Sequence, residues 1–488
     1  MKKKEKLTPE LALGFTDRKG DELILKDRLI GIIKQNFQLY GFEPLETPGF
    51  ELSTNIGKFL PDEDRPMSGV FGFKEKNQWM SLRYDLTAPL ARYVAKNYRD
   101  ISKPFKRYQI GTVWRNEKPG LGRFREFTQI DADIVGTKNL YADAEMCMLM
   151  ADTLLKCGLK KEEFIIKINN RKIFQGILDF FDIKDSKKSL TVLRSIDKLQ
   201  NVGKKGVFEL LTKGRLDKSG DFTKGAGLKD EEANMIIDIF TSNIIQKVKD
   251  TYYLAGGGYK IENQLYEEGI KEIDQIFEYL KNSGMFKVAD TDLGYDTSKV
   301  NIQLDPSVVR GLEYYTGPVF EAETSYQSLM KTDLQRFRKE IKIGSIGGGG
   351  RYDKLVSRFL NDDYPATGIS IGLDRLLILL KEKNKGQSIN NSPVIICVFD
   401  NKNFSKYNEI LQVLRSSNIN SEIYSGDGNL KSQMKYADKR NSPAVIFYGE
   451  DEIKSGKITV KNLKSGKENS IKVENLVNEI KKIIWKNP

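Results

Sequence analysis

Apolar residues recur at every fourth position through Leu25, Leu29, Ile33 and Phe37. That spacing predicts an amphipathic helix over 21–40, closed by Gly41 at its C′ position. The next segment, GFEPLETPGFE, carries Pro44 and Pro48 and reads as extended chain or an edge strand. Helices are predicted again over 88–98, with Pro89 in the first turn, and over 140–157. Between these two helices the period changes to two. In FKRYQIGTVWRNE, Tyr108, Ile110, Thr112 and Trp114 share one face, and Arg107, Gln109 and Arg115 share the other. In RFREFTQIDADIVG, Phe124, Thr128, Ile130, Ala132 and Ile134 oppose Arg125, Gln129, Asp131 and Asp133. Two such runs around the turn-rich KPGLG predict an antiparallel hairpin with an apolar face beneath and a charged face above. The charged face admits two readings. It is a solvated surface, or, since it sets Arg and Gln beside Asp, a site for a zwitterion and a phosphate.

Residues 170–295 lack strand alternation and read as a mostly helical insertion with a Gly/Lys-rich break near 214–228. Strand character returns over 300–323, and a glycine run, GSIGGGGRYDKLV, spans 344–356. GISIGLDRLLILL (368–380) reads as strand–turn–helix or as helix. The polar stretch at 381–392 has the composition of a linker. Beyond it strands and helices alternate, which predicts a small α/β domain with a mainly parallel sheet. At roughly 100–200 residues per domain, the 488 residues predict about three domains.

Composition narrows the chemistry. The chain has no histidine, so Ser-His-Asp and Cys-His catalysis and every zinc site with an imidazole ligand are excluded. Its three cysteines, Cys147, Cys157 and Cys397, sit in apolar runs and read as core residues. So sparse a cysteine count fits a reducing, cytoplasmic setting. No stretch reaches the ~18 unbroken apolar residues of a membrane helix, and no apolar segment follows the basic N-terminus as in a secretory signal. The net charge of +12 fits either a polyanionic partner or a generally lysine-rich composition. Residues 392–488 alone carry 16 Lys/Arg against 11 Asp/Glu.

There is no GxxxxGK[ST] loop and no GxGxxG between a strand and a helix. A bound nucleotide would have to be held another way, and guanidinium forks match phosphate oxygens in pairs. Three arginines stand out: Arg115 at the end of the first alternating run, Arg310 before GLEYYTG, and Arg375 inside an apolar run where an unpaired charge is costly. The four glycines before Arg351 and Tyr352 read as a flexible loop or as backbone that approaches a ligand closely.

The motifs resemble those of one family. LRYDLTAPLARYVA (82–95) resembles its amino-acid-binding loop, and residues 105–136 resemble motif 2 of the class II aminoacyl-tRNA synthetases. GISIGLDRLLILL resembles motif 3, while RGLEYYTGPVFEA (310–322) and GGGRYDKLV (348–356) resemble the two signatures peculiar to histidyl-tRNA synthetases. LKSQMKYADKRNSPAVIFYGEDE (430–452) resembles the family's anticodon-binding domain. The resemblance runs from about residue 10 to the end of the chain.

It implies an α+β fold: a class II antiparallel-sheet catalytic domain in two parts (1–168 and 298–381) interrupted by a helical insertion (169–297). A linker (382–392) and a C-terminal α/β anticodon-binding domain (393–488) follow. It also implies a homodimer with no membrane association. The reaction would join L-histidine to the 3′ end of histidine tRNA through a histidyl-adenylate, with ATP and phosphate-bound Mg²⁺. By the same resemblance, Arg115 and Arg310 bind the α-phosphate, Arg375 binds the outer phosphates, and Glu117 and Arg123 also hold ATP. Asp85, Thr87 and Gln129 receive the substrate ammonium. Asp133 and Tyr315 read the imidazole, and Tyr314, Tyr352, Gly348 and Gly349 close the pocket. The sequence departs from many relatives in having Asp rather than Glu at 85 and 133, Thr at 128, and Gly120–Leu121 in the motif 2 loop. The alternative reading is a histidine-binding paralogue that regulates ATP phosphoribosyltransferase. Such relatives usually lack the C-terminal domain and the phosphate arginines that are present here.

Overall fold

The computed structural model describes residues 8–56, 69–119, 124–216, 220, 222–241, 245–248, 251–254, 261–288, 300–309, 314–324, 344–360, 362, 364–383 and 392–485. The chain divides into two compact units, Met1–Asp17 with Lys26–Leu380, and Arg18–Leu25 with Lys381–Pro488.

The first predicted helix forms over Asp21–Leu39 and buries Leu29, Ile33 and Phe37, as its spacing dictates. It also buries Asn36, whose amide donates to Thr153 Oγ1 at 2.9 Å. The second and third helices run over Thr87–Asn97 and Tyr141–Lys156. The two alternating runs form an antiparallel pair, Phe105–Trp114 with Glu126–Val135, in a register that sets Arg107 opposite Asp133 and Gly111 opposite Gln129.

This pair lies within a nine-stranded sheet. The order is 43–44, 105–114, 126–135, 366–372, 347–351, 318–324, 164–170, 300–304 and 286–288. The six strands from 105–114 to 164–170 pair antiparallel. Parallel pairing occurs only at the two edges.

Two expectations change here. The glycine run is not a loop, because Gly347–Arg351 is a fully buried strand in the interior of the sheet. The reason is steric. A Cβ on Gly349 would lie 1.9 Å from the carbonyl oxygen of Gly368, and one on Gly350 would lie 2.7 Å from that of Pro318. The helical insertion, for its part, contains strands. Five helices span Arg171–Phe180, Ser186–Asp197, Leu199–Leu211, Asp230–Thr241 and Gln264–Asn282. Two short hairpins accompany them, Gly214–Leu216 with Phe222–Lys224 and Ile245–Val248 with Thr251–Leu254. Strands this short show too little alternation to be read from sequence.

The C-terminal unit has its own core, built on Val394, Ile396, Tyr407, Leu414, Ile446, Val460 and Ile480. Its five-stranded sheet pairs 421–423, 394–396 and 444–447 in parallel and then adds 457–462 and 468–472 antiparallel. The sheet is therefore mixed rather than mainly parallel. The three cysteines are buried and free. Burial pushes the Cys157 and Cys397 thiols up to about 12, which fits inert core residues.

Candidate active site

A cleft of about 520 Å³ opens on the charged face of the 105–135 hairpin. Nine of the residues singled out from sequence line it: Asp85, Thr87, Arg115, Glu117, Gln129, Tyr314, Tyr315, Gly348 and Arg375. They come from five separate segments, which the sheet order gathers. The 366–372 strand pairs with 126–135 on one side and with 347–351 on the other, so motif 2, motif 3 and the glycine strand become neighbours.

Among the described residues no ion pair to a carboxylate is seen for Arg115 in the cleft wall. Its guanidinium lies 4.5 Å from the centre of the Tyr84 ring and 5.1 Å from that of Phe127. Its Nε donates to the Tyr84 carbonyl at 3.3 Å. Aromatic faces and a carbonyl fix the group while leaving its charge available to an anion. The Tyr84 hydroxyl donates to Glu117 at 3.4 Å, which joins the amino-acid loop to the motif 2 turn. Arg375 stands in the first turn of the helix Leu373–Lys383, and its Nη1 donates to the Ser345 carbonyl at 2.6 Å.

The cleft also has an acidic and polar lining. Asp85 Oδ1 accepts from the backbone N–H groups of Thr87 (3.2 Å) and Ala88 (2.9 Å) and so caps the helix that begins there. Gln129 Nε2 donates to Asp131 Oδ2 at 3.0 Å. The Tyr314 and Tyr315 rings lie against each other with centres 4.4 Å apart.

Asp133, Tyr352 and Gly349 are not among the lining residues; they lie in the wall behind. Asp133 is buried and ion-paired to the fully buried Arg107 at 2.7 Å, and it accepts a hydrogen bond from the Tyr352 hydroxyl. A Cβ on Gly368 would meet Asp133 Oδ1 at 2.1 Å, so glycine there makes room for the carboxylate. Burial raises the Asp133 carboxyl above its usual range, and the Arg107 charge opposes that rise. Burial raises Asp131 to about 7, helped by the nearby Asp133. The charged face is thus not a solvated one, since Arg107, Gln109, Gln129, Asp131 and Asp133 are all buried.

Arg351, next to the glycines, also turns inward. It pairs with buried Asp143 and donates to the Thr137 and Asn139 carbonyls at 2.9 and 3.3 Å, tying the glycine strand to the helix Tyr141–Lys156. Arg310 and Arg123 lie outside the described residues.

Sequence reasoning missed Tyr84, Phe124, Phe127 and Ser370, which also line the cleft. Phe124 read as core in the alternation and Phe127, which shares the parity of Arg125 and Gln129, was not singled out on the charged face, while Tyr84 and Ser370 carried no periodic signal. The two phenylalanines give the cleft flat apolar surface of the kind a purine would stack on. Among the described residues no cluster of three or more acidic, cysteine or histidine side chains could cage a metal ion. No helix among them is long and apolar enough to cross a membrane.

Comparison with known proteins gives the family. A sequence model of the family described as "Histidyl-tRNA synthetase" matches residues 14–212 and 262–376, and one described as "Anticodon binding domain" matches residues 393–483. The chain is 44% identical to the histidine–tRNA ligase of Brucella suis, over 97% of this chain and 92% of that protein. It is 46% identical to the histidine–tRNA ligase of Pelagibacter ubique, over 99% of this chain and 100% of that protein. Among solved structures it is similar to histidyl-tRNA synthetase from a Nostoc species, with a TM-score of 0.69 and 26% identity over 98% of this chain and 100% of that one.

Proposed function

The chain belongs to the histidyl-tRNA synthetase family, and from that premise we propose that it joins L-histidine to the 3′ end of histidine tRNA at the cost of ATP. The observation that carries this reading is that one cleft gathers cationic groups suited to a triphosphate and polar groups suited to an ammonium. Arg115 and Arg375 line it together with Asp85, Thr87 and Gln129.

The chemistry follows from that arrangement. The histidine carboxylate is already ionised, so the first step needs no protein base. A carboxylate oxygen attacks the α-phosphorus, the bond to the bridging oxygen breaks, and pyrophosphate leaves with its electron pair. Fixed positive groups stabilise the charge that grows on the phosphate oxygens. Arg115 takes the α-phosphate, Arg375 takes the outer phosphates, and Glu117 orients the nucleotide. Arg310 and Arg123 join them by resemblance to the family. Mg²⁺ arriving with ATP would supply further charge neutralisation. In the second step a terminal ribose hydroxyl of the tRNA attacks the histidyl carbonyl, and AMP leaves.

Asp85 Oδ1 is engaged by two backbone amides, and its other oxygen receives the substrate ammonium together with Thr87 and Gln129. Tyr315, with Asp133 and Tyr352 behind it, reads the imidazole, and Tyr314, Gly348 and Gly349 shape the pocket. Residues 1–168 and 298–381 form the catalytic domain around the insertion 169–297, and residues 393–488 read the tRNA anticodon. The protein acts as a cytoplasmic homodimer.

Histidine-dependent ATP–pyrophosphate exchange followed by histidylation of tRNA tests the proposal. Exchange that requires histidine and falls by at least about a hundredfold in Arg115→Ala is expected. Absence of exchange in the intact protein would instead favour a histidine-binding regulatory role.

A further inference from the structure

We infer that Asp131 is a positioning residue: it holds the Gln129 side-chain amide with its nitrogen turned into the wall, so that its carbonyl oxygen is kept for the ammonium of the amino-acid substrate. This rests on the reading of Gln129 as an ammonium acceptor.

A glutamine amide has two nearly isosteric ends, one a donor and one an acceptor, and only the acceptor end suits a cation. Something must therefore fix which end points where. In this chain Gln129 Nε2 donates to Asp131 Oδ2 at 3.0 Å, two residues along the same strand face. Among the described residues Gln129 Oε1 is buried without a hydrogen-bond partner, although the side chain borders the cleft. Asp131 is itself 2% exposed and is set opposite Gln109 on one neighbouring strand and opposite Ser370 on the other. Ser370, set opposite Asp131 on the neighbouring strand, also favours the charged carboxylate through its hydroxyl.

The charged and titratable groups that act on Asp131 are Asp133, Arg107 and, more distantly, Asp85. The two aspartates and burial favour its proton, and a cation arriving beside Gln129 favours the carboxylate. An ionised Asp131 is acceptor-only, and the amide nitrogen is then the only end of Gln129 it can bind. Flipping the amide would set carbonyl against carboxylate and turn a donor toward the substrate cation.

The test uses the full-length protein, histidine and imidazolepropionate, the analogue of histidine that lacks the amino group. Histidine KM is read from pyrophosphate exchange, and the analogue is read as a competitive inhibitor. Gln129→Ala should raise the histidine KM by about ten- to a hundredfold, as expected for loss of a hydrogen bond to a charged group. Asp131→Asn, which can accept through Oδ1 but can also drive the amide over, should raise it by at least about threefold. Both variants should change the inhibition constant of the analogue and the KM for ATP by less than about twofold. If Asp131→Asn does not fold, Ser370→Ala decides by the same selective loss.

Equal losses for histidine and its amine-free analogue in the Asp131 and Ser370 variants would make Asp131 merely structural and overturn the inference. So would no loss in those variants while Gln129→Ala remains selective. If Gln129→Ala itself leaves the histidine KM unchanged, the reading of Gln129 fails and the inference falls with it.

Discussion

At the scale of single residues, the buried pair of Arg107 and Asp133 carries the largest consequence. Arg107 is fully buried, and its nearest carboxylate is Asp133 at 2.7 Å. Removing one member of such a pair leaves an uncompensated buried charge, whereas removing both can be nearly neutral. Asp133→Ala is therefore expected to destabilise the first unit by about 3–5 kcal/mol. Asp133→Leu combined with Arg107→Met should recover most of that loss, with urea unfolding as the measurement. A double variant as unstable as the single one would show that the pair is not the source. The same logic bears on enzymology. A raised KM for histidine in Asp133→Ala mixes ring reading with collapse of the wall, so stability must be measured beside it. Arg115 presents the opposite arrangement: two aromatic faces hold it and, among the described residues, no carboxylate pairs with it, which suits a group meant to meet a phosphate.

At the scale of elements, the Gly347–Arg351 strand decides how the cleft is floored. Glycine is disfavoured in strand interiors unless another backbone must come close. Here the Gly368 carbonyl oxygen would lie 1.9 Å from a Cβ on Gly349, and neither atom sits on a flexible side chain. Gly349→Ala should therefore force the 347–351 and 366–372 strands apart. The expected result is a lower melting temperature together with loss of pyrophosphate exchange. A variant that keeps wild-type stability and activity would refute the close approach. The strand is also anchored at its end by Arg351 and Asp143, so the glycine run is stiffened by an ion pair rather than left pliable.

At the scale of the molecule, buried carboxyls give stability a dependence on pH. In the folded chain Asp131 is raised to about 7 and Asp143 to about 6, in both cases chiefly by burial. Unfolded aspartate titrates near about 3.9. Between roughly pH 4 and pH 7 the folded state thus holds protons that the unfolded state has released. Stability from these groups is fully present below about pH 4 and is lost as pH rises through 6 to 7, by at most about 1.4 kcal/mol per pH unit for each proton. Asp131→Asn should flatten the upper part of that slope in thermal melts taken across the range. An unchanged slope would mean that Asp131 is ionised throughout.

Much of this protein could be read from its sequence. The period-two runs at 105–114 and 126–135 fixed a hairpin because strand side chains alternate strictly, and Leu29, Ile33 and Phe37 fixed a helical face for the corresponding reason. Motif order named the fold and the family, since each motif is a local string. The sequence did not determine what covers each face. Alternation separates two sides of a strand but does not say which one meets solvent, so it left the charged face either solvated or a site, and burial of Arg107, Gln109, Gln129, Asp131 and Asp133 removes the first reading. It could not tell a glycine loop from a glycine strand either, because the reason for those glycines is the Gly368 backbone, which lies across the sheet. Nor could it find Tyr84 beneath Arg115, or Asp131 behind Gln129, as partners. Burial and contact between distant segments depend on the summed packing of the whole sheet, and only the tertiary structure carries that sum.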